Sequence, residues 1–527
     1  MNVIQSNLKH NTNFHQAKWN EPIIFELHQQ GEKGVEVPPV DDEIVNIVGD
    51  GISEIPQSMQ RKEKPALPEI GQARVLRHYL RLSQETLGSD FNVEIGQGTC
   101  TMKYIPKINE LLIRNPKMME LHPLQHESTV QGMLEIFYKL DLSMREISGM
   151  DCFSFQPSGG TQALFTMASI VRKYHEVRGE GDQRDEIITT IFSHPSQAAT
   201  AAVKGYKVIT LHPDENGFPD IEKLKAVVSN RTAGFVVANP EDTGIFNAKI
   251  KEFTKIIHDA GGLCYYDQAN ANGLLGITRA KEAGFDMCFF NLHKTFAAPH
   301  MCGGPATGAL GVIEELKEFL PAPIVECKDQ HYYLNYDLKH SIGKVRAFHG
   351  VAQTVLRSYA WIRALGAEGL KEVAKTAVLN NNYMYHKVLN IRGASAPYVK
   401  GHRLEQVRYS WEQLTNETGV TTEDVQRRMT DFGLHYWTSH HPYIVKQPFT
   451  LEPTESYSKR DLDEYISALE QISNEAYENP ELVKNAPNQS TIHRLDEQDY
   501  LDHPEKWCIT WRSYQKKVVA KQGVVTN

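Results

Sequence analysis

Four places in the sequence bring together residues that could do chemistry, each just after a short apolar run. In DMCFFNLHKTFAAPH, His293 and Lys294 close one run; a lysine there either snorkels to water or is desolvated into a nucleophile. In GLCYYDQANANG, Asp267 closes another, where a carboxylate is costly without a cationic partner. QPSGGTQALFTMASIVRKYH joins a run ending near Phe155 to an amphipathic helix through Ser158, Gly159, Gly160 and Thr161. Glycines admit close approach to the backbone, and a helix start offers free N–H groups, which together suit a phosphate. FSHPSQAA puts His194 after IITTIF, where a flat ring can cover a planar ligand. Singly, each has a plain structural reading: a capped helix for the glycine turn, a cap or core ion pair for Asp267. Together they are the set that holds pyridoxal phosphate (PLP). Lys294 would form the Schiff base, Asp267 would keep the pyridine nitrogen protonated so that the ring accepts electrons, and the helix start would hold the phosphate.

These residues need a scaffold that lines up strand ends. From Asp151 onward, IITTIF, YKVITL, GFVVANP, GLCYYDQAN and DMCFFNLHK alternate with helical segments such as IEKLKAVVSN and NAKIKEFTKIIHDAGG. That alternation is the pattern of a mainly parallel sheet covered by helices on both faces. In such a sheet, ligands bind beyond the carboxyl ends of the strands. We divide the chain into an extended arm over 1–73, a large α/β domain with leading helices over 74–344, a smaller α+β domain over 345–497 and a tail over 498–527. No internal repeat or low-complexity tract interrupts this order.

Composition narrows the function classes. The 527 residues include 56 basic and 65 acidic side chains for a net charge of -9, which gives nucleic acid no electrostatic footprint. No apolar stretch approaches the roughly 20 residues that cross a bilayer, and the polar N-terminus lacks the apolar core of an export signal. Seven cysteines, none in a CxxC pair, read as small core residues in a reducing cytoplasm. His435, His440 and His441 have no acidic or cysteine companions and read as a surface loop, so no metal is expected.

From about Asn20 to Glu497 the chain resembles the glycine dehydrogenase (decarboxylating) subunit 2 family, the P-proteins of the glycine cleavage system. The segments that carry the resemblance include IIFELHQQGEKG, RHYLRLSQ, CTMKYIPKINE, LHPLQHESTVQGMLEIFYKL, IIHDAGGLCYYDQANANGLLG, NLHKTFAAPH, EPTESYSKRDLDEYI and ELVKNAP. The resemblance implies α/β fold-type I PLP-dependent transferase architecture, with a mainly parallel, seven-stranded type of sheet and a smaller C-terminal α+β domain. It implies that Lys294 attaches the cofactor, that Asp267 meets the ring nitrogen, that Ala269 lies near one ring face and that His194 stacks on the other. His293 and Thr295 would flank the lysine, orienting it or touching the phosphate. The implied reaction removes the carboxylate of glycine and passes an aminomethyl group to a lipoyl carrier protein. The implied assembly is a homodimer or a heteromer with a homologous subunit.

Departures from the family pattern fall in loops. Ile105 stands where the family has Asn after a segment that here reads Gly98, Thr99, Cys100, Thr101; Met301 and Cys302 replace the first two glycines of a run that keeps Gly303 and Gly304. His194, Pro195, Ser196, Gln197 and Ala198 replace H-G-T-N-P, while His435, Tyr436, Trp437 and Thr438 replace H-P-P-T. The phosphate turn, A-A-G-A-H in the family, reads Ser158 to Gln162. Met301, Tyr436 and Trp437 would then fill or reshape the substrate pocket. The alternative is a diverged PLP enzyme that transaminates or decarboxylates another amino acid without the lipoyl carrier. A third reading, an inactive structural partner, is opposed by Lys294 and Asp267.

Overall fold

The computed structural model describes residues 17–35, 37–49, 51–87, 92–95, 101, 103–299, 306–398, 401–436, 444–491, 494 and 497–522. Two compact units emerge, one spanning Ser89–Ala486 and the other Asn13–Gly88 with Pro487–Asn527.

The larger unit is organised by a seven-stranded sheet in the order β1-β7-β6-β5-β4-β2-β3. Its strands are β1 Cys152–Ser154, β2 Glu186–Thr190, β3 Lys207–Leu211, β4 Thr232–Ala238, β5 Leu263–Asp267, β6 Met287–Asn291 and β7 Gly308–Val312. Only β7 runs against its neighbours, pairing antiparallel with both β1 and β6. Side chains of a strand alternate between faces, and both faces here are apolar. Cys264, Tyr266, Cys288 and Phe290 enter one core, while Leu263, Tyr265, Met287 and Phe289 enter the other. Helices Gln131–Ser148 and Ile250–Asp259 cover the first face and Gly160–Val177 covers the second. Burial on both sides explains why β5 and β6 are unbroken apolar runs.

Helix Ala352–Val388 continues from the sheet into a second core. It bends at Gly366, whose φ of 65° lies in the left-handed region that glycine tolerates. Val355, Trp361 and Leu370 pack on the sheet side; Met384, Tyr385 and Val388 pack with the antiparallel strand pair β10 Val407–Ser410 and β11 Pro448–Leu451. Helices Thr422–Asp431 and Lys459–Glu478 close this core. A hairpin, β8 Ile324–Lys328 with β9 His331–Asn335, forms a separate two-stranded sheet.

In the smaller unit, the N-terminal segment and the C-terminal residues pack on each other. Phe25 and His28 meet Trp511 at centroid distances of 6.0 and 4.7 Å, and Trp511 stacks on Tyr514 at 5.5 Å. Thr491 donates its hydroxyl proton to the Ala17 carbonyl at 2.6 Å.

One core histidine gives the larger unit an acid sensitivity. His349 packs on Phe137 with centroids 4.9 Å apart, and burial drops its imidazole from 6.5 to about 4. The unfolded chain takes up this proton first, so the stabilisation is full above the unfolded value and is lost as pH falls through the folded one. The loss amounts to about 3 kcal/mol. His349→Gln is expected to flatten the fall in urea midpoint between about pH 7 and 4; a midpoint that falls as steeply as in the parent chain would contradict this.

Candidate active site

The carboxyl ends of the parallel strands surround a cavity of about 870 Å³. Ser158, Gly159, Gly160, Thr161, His194, Asp267, Ala269, His293 and Lys294 all line it. Four separate loops thus meet at one place, as their positions after strand runs predict.

The glycine turn follows β1 and opens helix Gly160–Val177. Gly159 has φ 137°, which strains any residue with a Cβ. A Cβ on Gly160 would lie 3.0 Å from Asn291 Nδ2 and 3.3 Å from Phe289, and one on Gly308 would lie 2.8 Å from the Gly159 carbonyl. Gln162 staples the turn: its Oε1 accepts from the Ser158 N–H at 2.6 Å and its Nε2 donates to the Val345 carbonyl at 2.6 Å. The first-turn N–H groups of an α-helix have no intrahelical acceptor, and the helix dipole favours an anion there. Gly160→Ala is expected to weaken PLP binding about tenfold, since pushing Asn291 and Phe289 aside costs of order 1 kcal/mol. Titration of cofactor absorbance at equal protein concentration measures it.

His194 caps helix Pro195–Val203. Its Nδ1 accepts from the Ser196 N–H at 3.1 Å and sits 2.6 Å from the Ser196 hydroxyl. The ring is therefore held at the cavity wall by its own helix.

Asp267 ends β5 and is buried. Its Oδ2 accepts from Gln197 Nε2 at 2.9 Å and its Oδ1 from the Ala269 N–H at 3.0 Å. Thr189 donates to Gln197 Oε1 at 3.0 Å, which fixes the amide's orientation. Burial pushes the Asp267 carboxyl above its ordinary range; the two hydrogen bonds and the charge of Lys294 pull it back only in part. Such a group gains most from a cationic partner, and a protonated pyridine nitrogen is one.

Asp267 pairs with Phe289 in the parallel register of β5 and β6, and the chain runs on through Asn291 into the turn that carries Lys294. The Lys294 N–H donates to the Asn291 carbonyl at 2.9 Å. Lys294 is 8% exposed and faces the same cavity as Asp267. Thr295 is placed differently from the expectation of phosphate contact. Its hydroxyl oxygen accepts from the Ala271 N–H at 3.0 Å and its carbonyl from Lys103 Nζ at 2.9 Å, so it ties the lysine turn to the loop after β5 and does not line the cavity. The glycine cradle, the buried carboxylate and the lysine fit pyridoxal phosphate.

Residues 157–396 match the aminotransferase class-V family, and residues 373–493 match the C-terminal domain of glycine dehydrogenase. The "Probable glycine dehydrogenase (decarboxylating) subunit 2" of Pyrococcus abyssi is 44% identical over 95% of this chain and 98% of its own length. The chain belongs to the glycine dehydrogenase (decarboxylating) subunit 2 family. The subunit 2 protein of Caldanaerobacter subterraneus is 41% identical over 90% of this chain and 96% of its own. Among solved structures, a glycine decarboxylase (P-protein) of the glycine cleavage system in inhibitor-bound form superposes with a TM-score of 0.67 at 19% identity. It covers 83% of this chain and 100% of the P-protein chain. A NifS-like protein follows with a TM-score of 0.57 at 15% identity, over 73% and 99% of the two chains. Both agree with the fold-type I, PLP-binding α/β architecture, and PLP is the cofactor of such enzymes.

Against the subunit 2 family pattern, one expected pocket residue moves elsewhere. Tyr436 does not line the cavity: it is 1% exposed in the second core, where Trp411 Nε1 donates to its hydroxyl at 3.0 Å and its ring lies 5.6 Å from Phe449. A phenol that can be satisfied by a core tryptophan packs inward. Ile105 is half-buried and also stands outside the cavity wall. His435 places Nδ1 2.8 Å from Glu94. Gly98, Thr99, Cys100, Met301, Cys302, Gly303, Gly304, Trp437, Thr438, His440 and His441 lie outside the described residues. The cavity also has polar members that the spacing of motifs did not single out: Asn270, Glu405 and Gln406. Asn270 closes the D-x-A-N segment, so a signal for it was present; the other two come from a loop far away in sequence.

Proposed function

We propose that this chain is the PLP-carrying subunit of a glycine-decarboxylating enzyme that works with a homologous partner subunit and a lipoyl carrier protein. The observation that carries the reading is Lys294 and Asp267 facing one cavity with the glycine turn. Bound PLP supplies an aldehyde that condenses with amines and a ring that accepts the electrons of a bond broken at Cα. Lys294 supplies the amine that anchors it. Asp267, oriented by Gln197 and the Ala269 N–H, holds a proton on the ring nitrogen. His194, fixed at Nδ1 by Ser196, would cover a ring face, and the start of helix Gly160–Val177 would receive the phosphate.

In the net reaction the Cα–carboxylate bond of glycine breaks and CO2 leaves. Cα bonds to one sulfur of the carrier's disulfide, the S–S bond breaks, and the second sulfur takes a proton. No helix among the described residues is long and apolar enough to cross a membrane. The five described cysteines are free thiols, which supports a reducing, cytoplasmic setting.

The test is a spectral titration of PLP-loaded protein with each common amino acid, with CO2 and keto acid followed in parallel. Glycine alone should perturb the cofactor absorbance, and CO2 release should need the first subunit and the lipoyl carrier. A response to another amino acid, or product without the carrier, would replace this reading with a diverged PLP enzyme.

A further inference from the structure

The turn that carries Lys294 is held from outside. Its own hydrogen bonds run from the Lys294 N–H to the Asn291 carbonyl at 2.9 Å, from Ala298 to Leu292 at 3.2 Å and from Ala297 to Lys294 at 3.4 Å. Ala297 has φ 51°, in the left-handed region that a residue with a Cβ avoids. Such a conformation persists where neighbouring structure over-determines it. Here that neighbour is Lys103, which is 9% exposed and stands outside the cavity wall.

Lys103 Nζ donates to the Thr295 carbonyl at 2.9 Å and to Asn272 Oδ1 at 2.8 Å, and pairs with Glu455 Oε1 at 3.0 Å. An ammonium has three N–H groups, and these three acceptors engage them all. Trp361 covers the same nitrogen, its ring centroid 4.7 Å away. Thr295 follows the cofactor lysine, and Asn272 stands in the loop after β5 that carries Asp267, Ala269 and Asn270. Glu455 lies just beyond β11, and Glu452 in the same segment accepts from Asn270 Nδ2 at 2.6 Å. One buried ammonium therefore joins the two loops that meet the cofactor and ties both to a third segment.

The pyridine ring of PLP is rigid, and its aldehyde is attached across the ring from the nitrogen. Asp267 and Lys294 can meet it together only at one spacing, and a displacement of about 1 Å can cost about a hundredfold in rate. We propose that Lys103 is a positioning residue for the cofactor: by holding Thr295 to Asn272 it sets the distance between the lysine that anchors PLP and the carboxylate that meets its ring nitrogen. The Ala271 N–H ties the same loops through the Thr295 hydroxyl, but that hydroxyl turns with its side chain. The carbonyl gripped by Lys103 belongs to the backbone of the turn itself. The role rests on the PLP reading above, with Lys294 as the anchor.

The experiment uses the full chain at saturating PLP and reads two quantities from one sample. They are the PLP bound at equilibrium dialysis and the fraction of it that brief borohydride treatment fixes on the peptide containing Lys294. Lys103→Met keeps an unbranched stem and removes the three donors. PLP should still occupy most sites, because the glycine turn and Asp267 are untouched, while the fixed fraction falls about tenfold. Lys103→Arg, which restores charged donors, should recover part of it. K103M that keeps the parent's fixed fraction, or that loses bound and fixed PLP in proportion, would overturn the positioning role and leave the PLP reading intact. Should K103M fail to fold, K103M/E455Q removes the ion pair whole and leaves no unpaired buried charge, and the same fraction decides. A parent chain that fixes no PLP on Lys294 would overturn both this role and the proposed function.

Discussion

Replacement of Lys294 by alanine is expected to abolish turnover, with a loss on the order of 10⁴-fold or more, because the only cavity-lining amine that can hold the cofactor covalently among the described residues is gone. The phosphate turn and Asp267 remain, so PLP should still associate, more weakly, and be removed by gel filtration. Mass spectrometry after borohydride treatment is the decisive readout. The parent chain should gain a cofactor adduct on the peptide containing Lys294, and the alanine variant should gain none. An adduct of equal yield on another lysine of the variant would mean that the lysine turn after β6 has been misread.

The second large effect concerns Asp267. Asp267→Asn keeps the size of the side chain and can keep one hydrogen bond, yet removes the charge that pairs with a protonated ring nitrogen. Turnover is expected to fall on the order of a thousandfold while covalent attachment at Lys294 persists. The contrast between the two variants separates anchoring from electronic activation. Measuring kcat at saturating PLP, with the attached cofactor quantified in the same sample, tests it. A variant with more than about a tenth of the parent activity would assign Asp267 to packing. Gln197→Ala provides a milder case, since it removes the donor at 2.9 Å that aims the carboxylate without removing the carboxylate itself.

Much of the site was legible because β5 and β6 are buried on both faces. Five consecutive buried residues in each strand produce apolar runs that end visibly at Asp267 and just before His293 and Lys294. The glycine turn was legible for a different reason, a local conformation that few residues adopt. What the sequence hid is non-local. Strand β7 reads GALGV, too glycine-rich to announce a strand, although it completes the sheet. Nothing in its own segment marks Glu405 as a cavity residue, because its burial comes from chain far away in sequence, including Gly273. Tyr436 was misplaced because a loop motif does not say which way its side chain faces, and Trp411 offered it an inward partner. The pairing of Phe25 with Trp511 joins the two ends of the chain, beyond the reach of any local pattern.

Helix Ala352–Val388 belongs to two cores at once, and this has an energetic side. Leu370, Val373 and Ala374, beyond Gly366, still pack on the sheet side before Met384, Tyr385 and Val388 enter the β10–β11 core, so one helical stretch serves both. The sheet and the β10–β11 core are therefore expected to lose structure together on heating. A substitution in the β10–β11 core far from Lys294 is then expected to depopulate the catalytic state without touching a single group that meets the cofactor.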